Sequence, residues 1–281
     1  MTMAPGMAAI SQYFQKKRGA AIGIAVAESS VGGVVLPIAL GRMLYNPRLG
    51  LGWTVRISGF IMLALLLVST TAIRARLPPR KNQFLLLSAF RNLQYLLIIV
   101  AAFLTVLGMF TPIFYLPSHA VQNGMGTQLA FYLVAILNGA SFFGRVIPGV
   151  TADKVGRFNV LSASALCTGV LILCWQKSKS NASIIVFAAL YGLCSVAIVS
   201  SMSVCLARVP KDPKDIGTYL GMGMFVLSFG ALVGPPINGA LVARYGGFDE
   251  VSMLSGLVAL AGGCVAFLAK QQTDEGLFGR V

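Results

Sequence analysis

Eight apolar runs divide this chain, at about residues 20–42, 54–73, 94–117, 128–150, 158–176, 184–206, 217–242 and 251–269. Short polar stretches separate them: Tyr45 to Arg48, Arg74 to Arg91, Gln122 to Gln128, Thr151 to Arg157, Gln176 to Asn181, Arg208 to Asp215 and Arg244 to Glu250. Each run approaches the roughly 20 residues that a helix needs to cross a hydrocarbon core about 30 Å thick. In that medium every backbone N–H and C=O must find its partner within the segment, so each run is predicted to be a helix. Much of the glycine, 31 residues in all, falls inside the runs. Small residues let membrane helices approach closely, which suits a packed bundle. The pattern predicts an all-α membrane protein with eight spans.

Composition agrees with the pattern. Hydrophobic residues make up 57% of the 281 and charged residues 11%, against roughly 45–50% and 25% in soluble domains. Disordered chains and secreted disulfide scaffolds are excluded on these numbers. The net charge of +14 would suit nucleic acid if it were clustered on a polar domain. Here the basic residues sit in short loops between apolar runs, where lipid and topology account for them, so no nucleic-acid partner is expected. Cys167, Cys174, Cys194, Cys205 and Cys264 all lie inside apolar runs and read as small packing residues. Met1 to Phe14 lacks the basic start and cleavable apolar core of a signal peptide.

Lysine and arginine count 15 on one side of the spans and 6 on the other, with Arg145 inside a span. By the positive-inside bias both termini are expected in the cytoplasm, in an integral protein of the plasma membrane. The sequon Asn181-Ala182-Ser183 falls on the outer side but touches a helix start, which disfavours its use. The longest inner connection, Arg74 to Arg91, holds Pro78-Pro79 and five basic residues. It suggests three parts: residues 1–75 with two spans, a cytoplasmic central loop at 76–92, and a six-helix bundle at 93–281. Two spans plus six would be natural if four helices were missing from the front of a six-plus-six architecture.

Enzyme signatures are sparse. The single histidine, His119, is expected in an outer loop, so no histidine-based metal cluster or triad can be assembled. The chain has no GK[ST] phosphate loop. No metal or other cofactor is expected, and gradient-driven transport or passive exchange fits better than catalysis.

Arg145 stands out on physical grounds. It lies about eight residues, or ~12 Å, inside the membrane from Asp153. A charge there costs several kcal/mol unless it faces a cavity or a partner. At 100° per residue Asn138, Ser141, Arg145 and Gly149 share one stripe, a polar and small face suited to lining a pathway. A guanidinium holds a carboxylate by two parallel hydrogen bonds, which makes the three polar residues candidate substrate-binding groups. The alternative is Arg145 snorkelling to the headgroups. Glu28, close to mid-membrane, shares a stripe with Ala21, Ala25, Gly32 and Ala39, and is expected to face a close-packed or pathway-lining surface as a candidate proton site. Its alternatives are a protonated acid bonded within the bundle, or drift without function. The serines Ser195, Ser200, Ser201 and Ser203 are expected to satisfy the backbone and neighbouring helices. Gly234-Pro235-Pro236 is expected to break or kink the seventh span.

The most specific motif is Gly149-Val150-Thr151-Ala152-Asp153-Lys154-Val155-Gly156-Arg157, which fits G-x3-D-[RK]-x-G-[RK]. It closes a span at a short turn, where Asp153 can pair with a basic group or helix end in one conformation and release it in another. It resembles the signature loop of the major facilitator superfamily. Tyr13-Phe14-Gln15-Lys16-Lys17-Arg18 through Gly23 is similar to the loop and fifth-helix start of the monocarboxylate-porter family. Gly52-Trp53-x-x-Arg56, Phe114-Tyr115-Leu116-Pro117-Ser118, Gly217-Thr218-Tyr219-Leu220-Gly221-Met222 and Gly234 to Leu241 resemble its fungal members. The resemblance covers Tyr13 to about Lys270.

What the resemblance implies is a partial six-plus-six helix bundle in which the spans are helices five to twelve and Met1 to Ser11 the tail of helix four. It implies alternating access, with Gly149, Asp153, Lys154, Gly156 and Arg157 as a conformational gating loop. It assigns a substrate-binding role to Arg145, matching the family's arginine on helix eight. Ser141 stands where the animal lactate porters carry an aspartate that takes part in proton coupling, so that coupling has no counterpart at this position. The expected function is secondary active or facilitative transport of a small monocarboxylate or related organic metabolite. The expected partners are that carboxylate-like substrate, the lipid bilayer and a second copy in a homodimer. The competing expectation is a truncated, non-transporting membrane protein or substrate sensor of the same family.

Overall fold

A computed structural model describes residues 18–44, 49–72, 85–210 and 212–272, with 6, 9, 10, 13, 14 and 46 besides. Among them are eight long helices: α1 Arg18–Leu44, α2 Gly50–Ala72, α3 Leu93–Gln122, α4 Thr127–Val155, α5 Arg157–Trp175, α6 Asn181–Leu206, α7 Ile216–Tyr245 and α8 Asp249–Gln271. All eight carry a window long and apolar enough to cross a membrane. The expected connection at 76–92 lies outside the described residues up to position 84, and its end, Leu87–Arg91, is a short 3₁₀ turn.

Local signals explain where the helices begin and stop. Asn92 caps α3, its side-chain oxygen accepting from the backbone N–H groups of Gln94 and Tyr95. Ser180 and Ser183 form a reciprocal capping box at the start of α6. The sequon at Asn181 is therefore the first turn of a helix. Gly246, with φ of +71°, ends α7 in the left-handed conformation that glycine adopts without steric cost.

Helices α3 to α8 pack on one another: α3 against α7 and α8, α5 against α6 and α8, and α4 against α6. Helix α1 lies along α4, and α2 leans on α1. Two apolar cores fill the bundle. One, at the strongly basic end, holds Tyr95, Ile98, Phe158, Leu206 and Leu220. The other, at the opposite end, holds Leu116, Leu133, Trp175, Phe187 and Tyr191. Helix α2 is inverted by aqueous standards, burying Thr54 and Ser58 while Leu63, Leu65 and Leu67 face outward. The Thr54 and Ser58 hydroxyls are satisfied by the backbone one turn earlier, at 2.7 and 2.9 Å.

Four expectations are corrected here. His119 belongs to the last turn of α3, not to a loop, because the helix runs on past Pro117 to Gln122. Its ring is buried between Trp175 at 5.1 Å and Phe248 at 5.4 Å. Helix α7 is not broken at Pro235-Pro236 but continues to Tyr245. Proline removes backbone donors there, yet Gly230 and Gly234 seat the helix tightly on Phe103 and Leu107 of α3, and the Tyr115 hydroxyl donates to the Pro235 carbonyl at 3.0 Å. Cys167, Cys174 and Cys264 face outward, so only Cys205 is a fully buried packing residue. Of the α6 serines, Ser203 bonds the Val199 carbonyl at 2.9 Å, whereas Ser200 and Ser201 are buried without a partner among the described residues.

Candidate functional site

The predicted stripe on α4 lies along α1. The two helices run antiparallel: Gly23 opposes Arg145 and Gly149, Ser30 opposes Arg145 and Ser141, Gly33 opposes Asn138, and Gly41 opposes Phe131. A Cβ on Gly23 would come within 2.6 Å of the Arg145 carbonyl oxygen and 3.2 Å of the Gly149 Cα. Glycine at 23 is thus what permits the two backbones to touch. That closeness brings a short serine side chain within reach of the arginine.

A directional chain of hydrogen bonds results. The Arg145 Nη1 donates to Ser30 Oγ, which lies 2.7 Å from Ser141 Oγ. Ser141 Oγ in turn donates to the Asn138 carbonyl at 2.7 Å. With Ser30 accepting from a cation, its own proton goes to Ser141, and every hydroxyl in the chain is used once. The Asn138 side chain turns back to donate to the Val134 carbonyl at 2.9 Å. Ser30 and Ser141 are fully buried, and Arg145 is half-buried. No carboxylate among the described residues pairs with Arg145, and its buried Nε has no partner. A guanidinium with five donors thus carries, among the described residues, an unmatched positive charge inside the span.

Glu28 is exposed, on the face of α1 turned away from α4, so of the two surfaces expected for its stripe, close-packed or pathway-lining, the close-packed one is excluded. The packed face is that of Gly23, Val26, Ser30 and Gly33, because small residues at those positions are what α4 can approach. Gly149 is buried at the seam. Asp153 belongs to the last turn of α4, with its side chain outside the described residues, and Lys154 beside it is exposed. Gly156, with φ of +106°, is the single non-helical residue between α4 and α5, and Arg157 opens α5 half-buried. The expected loop from Thr151 is therefore helix as far as Val155.

Sequence reasoning missed Ser30, whose small-residue spacing with Gly23 and Gly33 was available as a signal. It also missed a closed polar ring between three helices. Asn238 of α7 donates to Thr111 Oγ1 of α3 at 2.6 Å and accepts from Ser255 Oγ of α8 at 3.2 Å, while Thr111 and Ser255 lie 2.8 Å apart. All three are buried, next to a cavity of about 250 Å³ lined by Gly108, Gly234 and Leu254. No periodicity announces residues 111, 238 and 255 as neighbours.

Comparison with known proteins accords with this geometry. The Major Facilitator Superfamily profile matches residues 1–175 and 141–278. The aspyridones efflux protein of Emericella nidulans is 49% identical over 276 residues, which is 98% of this chain and 56% of that protein. The agnestins efflux protein of Paecilomyces divaricatus is 42% identical, over 97% of this chain and 63% of that protein. The chain thus spans about 56–63% of the length of these two relatives. Among solved structures, the major facilitator transporter FucP in its outward conformation superimposes with a TM-score of 0.73 at 15% identity, covering 95% of this chain and 72% of that one. Eight membrane-length helices, the glycine turn at Gly156 and the profile match along nearly the whole sequence place this chain in the major facilitator superfamily.

Proposed function

We propose that this chain forms part of a secondary carrier that exports an organic metabolite bearing an anionic group, with Arg145 as the group that holds the anion. The observation that carries the reading is the intramembrane guanidinium at the α1–α4 seam, tethered by Ser30 and matched by no carboxylate among the described residues. Asn138 and Ser141 supply neutral hydrogen-bonding capacity beside it. The named relatives are efflux proteins, which supports outward movement of an organic metabolite.

Helices α1 and α2 belong in this reading to the first bundle of the carrier and α3 to α8 to the second. The seam where α1 meets α4 is then the contact along which the bundles rock, and the Gly149 to Arg157 segment is the hinge at its cytoplasmic end. The uncovered faces of α1 and α2 are covered in the working carrier by further membrane helices. Glu28, on that uncovered face, takes no part in anion binding and is the group on which a proton gradient would act. The carrier sits in the plasma membrane with both chain ends in the cytoplasm.

Binding of a radiolabelled aromatic carboxylate to the purified protein tests the central claim. Arg145→Ala should weaken binding by tens- to thousands-fold, the roughly 2–5 kcal/mol lost with a desolvated charge pair. Arg145→Lys should recover part of it, since an ammonium keeps the charge and loses the planar fork. Glu28→Gln should leave affinity unchanged. Normal binding by a well-folded Arg145→Ala protein would show that Arg145 is only a snorkelling residue.

A further inference from the structure

The α1–α4 seam opens, at the end away from the Asp153 turn, into a cavity of about 570 Å³. Its wall combines a cation, neutral hydrogen-bonding groups and aromatic surface. Arg42, at the end of α1, is exposed and meets no carboxylate among the described residues. Thr127 and Gln128, in the first turn of α4, bring a hydroxyl and an amide. Phe131 and Tyr132 follow on the same helix, their rings in edge-to-face contact at 6.4 Å between centroids. Gly41 leaves the α1 backbone bare where the Phe131 ring lies, 3.2 Å from the place a Cβ would occupy.

We infer that this cavity is a second organic-anion subsite, in which Arg42 takes the acidic group and Phe131 and Tyr132 take a planar apolar body. The volume falls in the roughly 300–1,000 Å³ range of small-molecule sites. An arginine fork beside aromatic faces recognises an anion attached to a flat ring system, by paired hydrogen bonds at one end and stacking at the other. Position supplies the connection to transport. Residues 131, 138 and 145 recur at intervals of seven, so the cavity wall, Asn138 and Arg145 share one face of α4. The 14 residues from Phe131 to Arg145 span about 21 Å along the helix. When the α1–α4 seam parts as the bundles rock, an anion leaving Arg145 outward along this face meets Arg42 next. The subsite deepens the proposed export function by naming the substrate class as a planar aromatic or conjugated acid and assigning the outer stopping point.

The test uses the purified chain in nanodiscs of phosphatidylcholine, with tritiated 2-naphthoate as the probe and neutral 2-naphthamide as its uncharged counterpart. Arg145→Ala should leave one class of naphthoate site. Adding Arg42→Gln in that background should weaken the remaining site about tenfold or more, as expected for loss of a charge-assisted pair. Arg42→Lys should restore part of the affinity, and Tyr132→Leu should weaken both probes several-fold through lost stacking. Naphthamide should be indifferent to Arg42→Gln. Unchanged naphthoate binding in the double variant, or no residual binding once Arg145 is removed, would overturn the subsite. Nanodiscs containing phosphatidylglycerol separate the two sources of anion: if that lipid displaces naphthoate from the Arg42 site, the cavity is a headgroup site and the inference fails. Loss of naphthoate with Arg42→Gln alone, alongside an inert Arg145→Ala, would refute the Arg145 reading and leave the cavity standing.

Discussion

Replacing Gly23 and Gly33 one at a time by alanine asks whether the α1–α4 seam is set by backbone contact or by side chains. An added Cβ at Gly23 would come within 2.6 Å of the Arg145 carbonyl oxygen, and at Gly33 it would press on the Asn138 side-chain amide, first on its Oδ1. The consequences differ because the obstacles differ. At Gly33 the Asn138 side chain can rotate away, at the expense of its bond to the Val134 carbonyl, worth about 0.6–1 kcal/mol. The helix propensity of alanine over glycine returns roughly 1 kcal/mol, so Gly33→Ala should be close to neutral. At Gly23 the obstacle is backbone, and nothing can rotate. Helix α1 must move out by roughly 0.5–1 Å, which forfeits about a quarter to a half of the dispersion attraction along the contact.

Such overpacking costs about 1–3 kcal/mol, and the Arg145 to Ser30 bond is stretched as well. After the propensity gain, Gly23→Ala should lose about 1–2 kcal/mol. For a chain of this size that lowers the thermal midpoint by about 2–8 °C. The assay is a melting series of the detergent-solubilised protein followed by size-exclusion chromatography, with hydrogen exchange on α1 as the local readout. Exchange should rise in α1 and α2 before it rises in α3 to α8, since α2 is held through α1. A Gly33→Ala protein that melts as low as Gly23→Ala, or a Gly23→Ala protein that melts as the parent does, would refute the backbone-contact reasoning.

Asn238→Leu should destabilise the bundle by about 1–2 kcal/mol, because two interhelical bonds are lost while Thr111 and Ser255 still satisfy each other; the same melting series checks it. Gly156→Ala places a Cβ at φ of +106° and should cost about 1–3 kcal/mol in strain, seen as a lower midpoint with naphthoate affinity retained. Ser178→Cys, in the turn between α5 and α6, should react in intact cells with a membrane-impermeant maleimide that leaves a cysteine at Ser88 untouched; the reverse pattern would invert the assigned topology.

The helical, eight-span character of this protein was legible in the sequence because the bilayer imposes a single rule on each segment separately. A run of some 20 apolar residues must become a helix whatever its neighbours do. The same locality made Arg145 visible, since a charge within a span is anomalous before any partner is known. Boundaries were less legible: His119 and the Thr151 to Val155 stretch were expected in loops, and both proved helical because neighbouring helices bury or extend what hydropathy alone truncates. Pairing was hidden altogether. Ser30 beside Arg145 and the Thr111, Asn238 and Ser255 ring depend on which helix faces lie against each other, and Glu28 showed that the more polar stripe of α1 is not the packed one. In lipid no hydrophobic force sorts those faces, so glycine-permitted contact and interhelical hydrogen bonds choose them, and such contacts exist only once the bundle has assembled.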